Sequence, residues 1–109
     1  KSWIRKRAEE LLPDRLGLIS QRIGIYANGL TIRDQRTRWG SCSRQNTISL
    51  NQKLVLLPPE LVEYVLIHEL CHTQVHSHSK KFWKHVEYFL PDYLARRKLL
   101  REYEKKIPW

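Results

Sequence analysis

The ten residues from Leu61 to Leu70 constrain this chain more than any others. Leu61, Val62, Val65, Leu66, Ile67 and Leu70 make the segment apolar nearly all round, the mark of a helix buried within a core. Yet the same stretch carries His68, Glu69 and, just beyond it, His72, an H-E-x-x-H set. Polar groups buried without partners cost several kcal/mol, so the fold must give these three something to bind. Four helical residues turn about 400°, which puts His68 and His72 on one face, one turn apart, where two imidazoles grip one tetrahedral ion. Glu69 projects about 100° further round, within reach of a water on that ion without becoming a ligand. That is the arrangement of zinc hydrolases.

Three protein ligands with an open fourth position distinguish a catalytic zinc from a structural one, so a further ligand is required. His78 is the expected one. Gln74 to Ser77 can finish the helix and Ser79 can N-cap the next one at Lys80-Lys81-Phe82-Trp83, so a residue at this joint swings back toward the first two. His76 continues the i, i+4 row, but three imidazoles in a straight row span about 12 Å, too far for one ion. Cys71 lies inside the motif at an azimuth about 60° back from His68 and is expected to be a small buried residue.

Other motifs flank this stretch in a fixed order: Arg38-Trp39-Gly40-Ser41-Cys42-Ser43, Ile48-Ser49-Leu50-Asn51, Pro59-Glu60 and Tyr64-Val65 before it, His78-Ser79 and Phe82-Trp83 after it. Together they resemble the YgjP-like metal-dependent hydrolases, relatives of the SprT-like zinc metallopeptidases. The resemblance runs from about Thr31 to Leu100. It implies a zincin-like fold, zinc on the residues matching His68, His72 and His78, and catalysis by the one matching Glu69. Thr73-Gln74-Val75-His76 departs from the family in being more polar than its Leu-initiated stretch. Some SprT-like proteins act on proteins bound to DNA, which keeps a DNA-associated protease open beside a plain metallopeptidase. A zinc-stabilised binding domain without turnover is the third class, and the intact Glu69 weighs against it.

At 109 residues the chain is read as one domain spanning residues 1–109. It lacks methionine and begins at Lys1, so it reads as an excised or trimmed piece of a longer protein, and the resemblance implies a β-rich segment before it. Two cysteines, Cys42 and Cys71, make no disulfide framework and suit reduced thiols in the cytoplasm. No apolar run of the roughly 20 residues that a membrane helix needs is present. A net charge of +9 implies weak, non-specific attraction to nucleic acid. The cations are dispersed, however, which suits a solvated face.

The expected fold is α+β, a small largely antiparallel sheet packed on helices, with the H-E-x-x-H helix at its centre. Ser2 to about Leu12 reads as an amphipathic helix with Trp3, Ile4, Ala8, Leu11 and Leu12 on its apolar side, ended or kinked at Pro13, and helix signals stop at Gly17. Ile23 to Asp34 reads as a hairpin turning at Asn28-Gly29. Arg36–Ser43 and Thr47–Asn51 read as a strand pair joined around Arg44-Gln45-Asn46, followed by two more helices, one stopped by Pro91 and a last basic one containing Leu100 and Tyr103. Trp39 is expected in the core, with the alternative that its strand borders the cleft and that Arg36 and Arg38 meet acidic groups of an extended peptide or protein substrate. Tyr64, His76, Tyr88 and Tyr93 are the candidate oxyanion donors.

Overall fold

A computed structural model describes residues 2–107. Helix α1 (Ser2–Ile23) is followed by strands β1 (Gly29–Arg33), β2 (Gly40–Cys42) and β3 (Thr47–Asn51), a 3-10 turn (Gln52–Leu56), and helices α2 (Pro59–His72), α3 (Lys80–Phe89) and α4 (Tyr93–Glu104). The α+β architecture with α2 at its centre follows the sequence expectation. Ten residues of α2 are buried, Glu69 and His72 among them. Helices α1, α3 and α4 and strand β2 all pack against it. No helix among the described residues is long and apolar enough to cross a membrane.

The N-terminal third differs from expectation. Helix α1 runs through Pro13 and Gly17 to Ile23. Pro13 and Gly17 are exposed, whereas Ala8, Leu12, Leu16 and Ile19 are buried. Their i, i+4, i+8, i+11 spacing makes one apolar stripe across both supposed breakers, and burial of that stripe overrides the local cost of proline. Trp3, expected on the apolar side, is 64% exposed. The helix ends at Gly24, at φ +76°, whose N–H donates to the Ser20 carbonyl at 2.8 Å. A glycine in the left-handed region just past the last helical residue is a common helix stop.

Because Ile23 is helical, the expected hairpin does not form. Asn28-Gly29 is no turn: Asn28 bonds the β2–β3 connection through its N–H to Asn46 O (2.8 Å) and its side-chain amide to Gln45 O (2.7 Å). Strand β1 instead pairs parallel with β3, Leu30 beside Ile48 and Ile32 beside Leu50. The β2–β3 pair is antiparallel as expected, with Gly40 opposite Leu50 and Cys42 opposite Ile48. The connection turns at Asn46, whose φ of 66° asparagine tolerates better than most residues. Strand order is β1-β3-β2, so β3 is central and buries Ile48, Leu50 and Asn51.

Three helices are tied by one carboxylate. Glu63 of α2 accepts from Arg22 of α1 at 2.6 Å and from Arg96 of α4 at 2.5 Å, and Arg96 also donates to the Glu60 carbonyl and to Asp92. Burial alone would raise the Glu63 pKa, but the two guanidinium groups outweigh it and hold it below its ordinary value of 4.5. A lowered folded pKa means that the contribution to stability is complete above the ordinary glutamate range and is lost as pH falls through the folded value. Glu63→Gln is therefore expected to destabilise the fold by about 1–2 kcal/mol at neutral pH, and the gap from wild type should close in acid, once Glu63 is protonated in the folded state. Melting curves at neutral and acid pH check this, and a gap that persisted in acid would contradict it.

Candidate metal centre

The H-E-x-x-H segment forms the last turn and a half of α2. Thr73 closes the helix, its hydroxyl donating to the Leu70 carbonyl at 2.6 Å, and the chain then turns back over residues 74–79 into α3. Ser79 occupies the N-cap position in extended geometry, but its side chain makes no capping bond; its carbonyl accepts from the Trp83 N–H at 3.1 Å. This reversal brings His78 over α2. The candidate ligand atoms of His68, His72 and His78 lie within 4.8 Å of one another, the one such cluster of His, Cys, Asp and Glu found among the described residues. His76 is directed elsewhere, its Nε2 2.9 Å from Asn46 Oδ1.

Ring packing holds these imidazoles in place. His72 stacks on the buried Phe82 of α3 at 4.1 Å and 14°. His78 lies against Trp83 at 5.8 Å and 25°, and Trp83 stacks on Tyr93 of α4 at 5.4 Å and 17°. His72 Nδ1 is 3.0 Å from the Val75 carbonyl. A carbonyl only accepts, so Nδ1 carries the proton and Nε2 is left with its lone pair. That Nε2 lies 3.1 Å from His78 Nε2. Two nitrogens on a tetrahedral ion with bonds of about 2.0–2.1 Å stand about 3.3 Å apart, so this pair is nearly at ligand spacing. Burial pushes both His72 and His78 below the ordinary histidine range, and charge on the neighbouring His68 acts in the same direction. Neutral imidazoles are the form that binds a metal.

Glu69 is buried beside this cluster. Its Oε2 lies 3.2 Å from His68 Nδ1, and its Oε1 is buried with no hydrogen-bond partner among the described residues. An unsatisfied carboxylate oxygen in a core is costly. A water held at the metal position would satisfy it. Three converging imidazole nitrogens and an orphaned carboxylate oxygen thus fit a zinc ion with its water. The thiols do not join them: burial and the nearby Glu69 push Cys42 up to about 11, and burial pushes Cys71 up to about 12.

The carboxylate is shaped from above by a strand. A Cβ on Gly40 would lie 3.1 Å from Glu69 Cγ, 3.2 Å from the Ser49 carbonyl and 3.3 Å from Glu69 Oε2. Any larger residue here would crowd the carboxylate and the Ser49 backbone, so glycine lets β2 come this close. The loop that delivers Gly40 is tied by the fully buried Asn51, whose amide donates to the Gln35 and Arg38 carbonyls at 2.9 and 3.0 Å while its Oδ1 accepts from the Lys53 N–H. Trp39 is buried, as expected, and its indole N–H donates to Glu104 Oε2 at 2.8 Å. Asn51 lies in a motif noted for resemblance alone, and its role needs the loop to be seen in space. A cleft of about 500 Å³ opens over this site, lined among others by Arg38, Tyr64, His68, Glu69, His78 and Arg97. Of the candidate oxyanion donors only Tyr64 lines it. Tyr93 is in the aromatic stack, His76 is on Asn46, and Tyr88 is 79% exposed.

Comparison with known proteins bears on the family and the fold. The model of the YgjP-like metallopeptidase domain matches residues 1–103. The fold is similar to that of a metallopeptidase zymogen of Pyrococcus abyssi, abylysin, at 25% identity and a TM-score of 0.73 over 89% of this chain and 95% of that one. It is also similar to jannalysin, a metallopeptidase zymogen of Methanocaldococcus jannaschii, at 23% identity and a TM-score of 0.68 over 87% and 96% of the two chains. No curated protein matches the chain.

Two substitutions test the centre. His78→Ala is expected to lose zinc on dialysis while His76→Ala keeps it, read as metal per chain; the reverse result would reassign the ligand. Gly40→Ala is expected to keep the metal and shift the Glu69 carboxylate, which yields before the Ser49 backbone does, slowing turnover by about tenfold or more. Turnover equal to wild type would show that the close approach has no bearing on the carboxylate.

Proposed function

The chain belongs to the YgjP-like metallopeptidase family, and from that premise we propose that it hydrolyses peptide bonds with zinc on His68, His72 and His78 and with Glu69 as general base. The observation that carries this reading is Glu69 Oε1, buried and unpartnered beside three converging imidazoles. When bound, zinc supplies Lewis acidity, polarising the scissile carbonyl and lowering the pKa of its water toward about 7. Glu69 would serve as general base at Oε1, holding the proton taken up there and returning it to the departing amine. Oε2, beside His68 Nδ1, keeps the carboxylate from rotating away. His72 is held by Val75 and Phe82, and His78 by Trp83, so the ligand nitrogens are set before any ion arrives.

Tyr64 is assigned to carbonyl recognition. Burial pushes its phenol up to about 12, so it remains an O–H donor throughout the physiological range. Strand β2 lies at the sheet edge beside the cleft, where its backbone can pair with an extended substrate. The free thiols of Cys42 and Cys71 suit a cytoplasmic site of action.

A three-way comparison tests the mechanism. Glu69→Gln keeps the volume and the ligands but removes the basic oxygen, so it should bind zinc normally and cleave peptides about 10²- to 10⁴-fold more slowly. His72→Ala should lose both zinc and thermal stability. Zinc content, melting temperature and peptide cleavage are measured on each protein. Full cleavage by zinc-loaded Glu69→Gln would sink the proposed role.

A further inference from the structure

The metal cleft is walled by arginine. Arg38, from the segment before β2, lines it together with Arg97 and Arg101, one turn apart on α4. Its acidic groups are Glu69, which the mechanism uses, and Glu104, whose Oε2 receives the Trp39 indole N–H. A second hollow of about 340 Å³ opens on the other side of His78, where Lys80, Lys84 and Arg97 face Glu87. Arg97 borders both hollows. Its guanidinium sits 4.9 Å from the centroid of the Trp83 ring, the ring that also lies against His78 and Tyr93.

This placement has a chemical consequence. A guanidinium held over an indole ring still has N–H groups to offer a planar carboxylate, and it is partly ordered in advance. Cations along a cleft also raise the local concentration of anions. A neutral peptide backbone has no use for three guanidinium groups beside the scissile position, whereas an acidic side chain does. A hollow of this size admits a few residues of extended chain and not a nucleic-acid duplex. We infer that the cleft selects peptides with an acidic side chain next to the scissile bond, with Arg97 the principal specificity residue and Arg38 and Arg101 adding charge. The inference rests on the peptidase reading and goes further by naming the substrate class.

The test uses zinc-loaded wild type, Arg97→Gln and Arg101→Gln on paired peptide libraries that carry Glu or Gln at the positions flanking the cleaved bond. Binding of the same peptides to Glu69→Gln is followed by fluorescence anisotropy. Wild type is expected to prefer Glu over Gln by about tenfold in kcat/KM, mainly through KM. Arg97→Gln should reduce that ratio to about twofold, with Arg101→Gln in between. A loss of ratio, unlike a loss of rate, does not follow from a merely structural role, and Arg101 is exposed, so its variant serves even where Arg97→Gln folds poorly. Equal rates for Glu and Gln peptides in wild type, or a preference that survives both substitutions, overturn the inference. If no peptide is cleaved, the peptidase reading is what fails and binding decides: tighter binding of Glu peptides upholds the acidic cleft, and equal affinities overturn it. Displacement of the acidic peptide by an oligonucleotide at physiological salt, at concentrations below the peptide's own Kd, assigns the arginines to nucleic acid and also overturns it.

Discussion

Desolvation of two histidines and a glutamate on a helix buried nearly all round is the constraint on which this structure depends. In water these groups would be hydrated for nothing. Inside the core such groups must be met, and the fold meets them from two directions. The Val75 carbonyl sets the tautomer of His72. The α3 aromatics carry the ring faces, Phe82 against His72 and Trp83 against His78. What stays unmet is Glu69 Oε1, beside three converging imidazoles, which is the reason for proposing an ion and its water there. Stability and chemistry are thus the same problem here.

The sheet is small because its task is narrow. It holds one edge strand against α2, close enough that Gly40 nearly touches Glu69. Central strand β3 provides the leverage: Leu50 and Ile48 anchor it in the core, and Asn51 at its end ties down the loop that leads to Trp39 and Gly40. Each of these hydrogen bonds is worth only about 1 kcal/mol net. Their value lies in direction, since a displacement of about 1 Å at a catalytic group costs about a hundredfold in rate. The Arg22–Glu63–Arg96 cluster keeps α1 and α4 pinned to α2, so the cleft wall made by α4 is held in place relative to the three imidazoles.

Charge is distributed in keeping with that geometry. The chain carries a net +9, and dispersed cations of this kind usually mean no more than a solvated surface. At the cleft, though, Arg97 and Arg101 of α4 line the same hollow as Arg38 from the segment before β2. Linear spacing spreads these arginines over more than half the chain, and only folding collects them.

What the sequence alone reveals follows from which interactions are local. The i, i+4 histidines, the neighbouring glutamate and the apolar surround of α2 are consequences of helical geometry, so the central helix and the direction of its polar face were legible in the sequence. The β2–β3 pair was legible too, because one short connection joins it. Local signals misled where a distant surface overruled them. Pro13 and Gly17 suggested a helix end, yet the stripe from Ala8 to Ile19 buries against the sheet and the 3-10 turn and carries α1 to Gly24. Asn28-Gly29 suggested a hairpin, yet β1 finds its partner in β3, each residue pairing with the one eighteen positions further along the chain. The sequence by itself determined the helix that has to be satisfied and the residue types that could satisfy it, because those depend on rotation along one backbone. Only the tertiary structure decided that His78 meets His72 while His76 turns to Asn46, that Gly40 covers Glu69, and that Arg38, Arg97 and Arg101 share one hollow. Such contacts depend on how separate elements pack, and packing energy is shared among residues that no local pattern links.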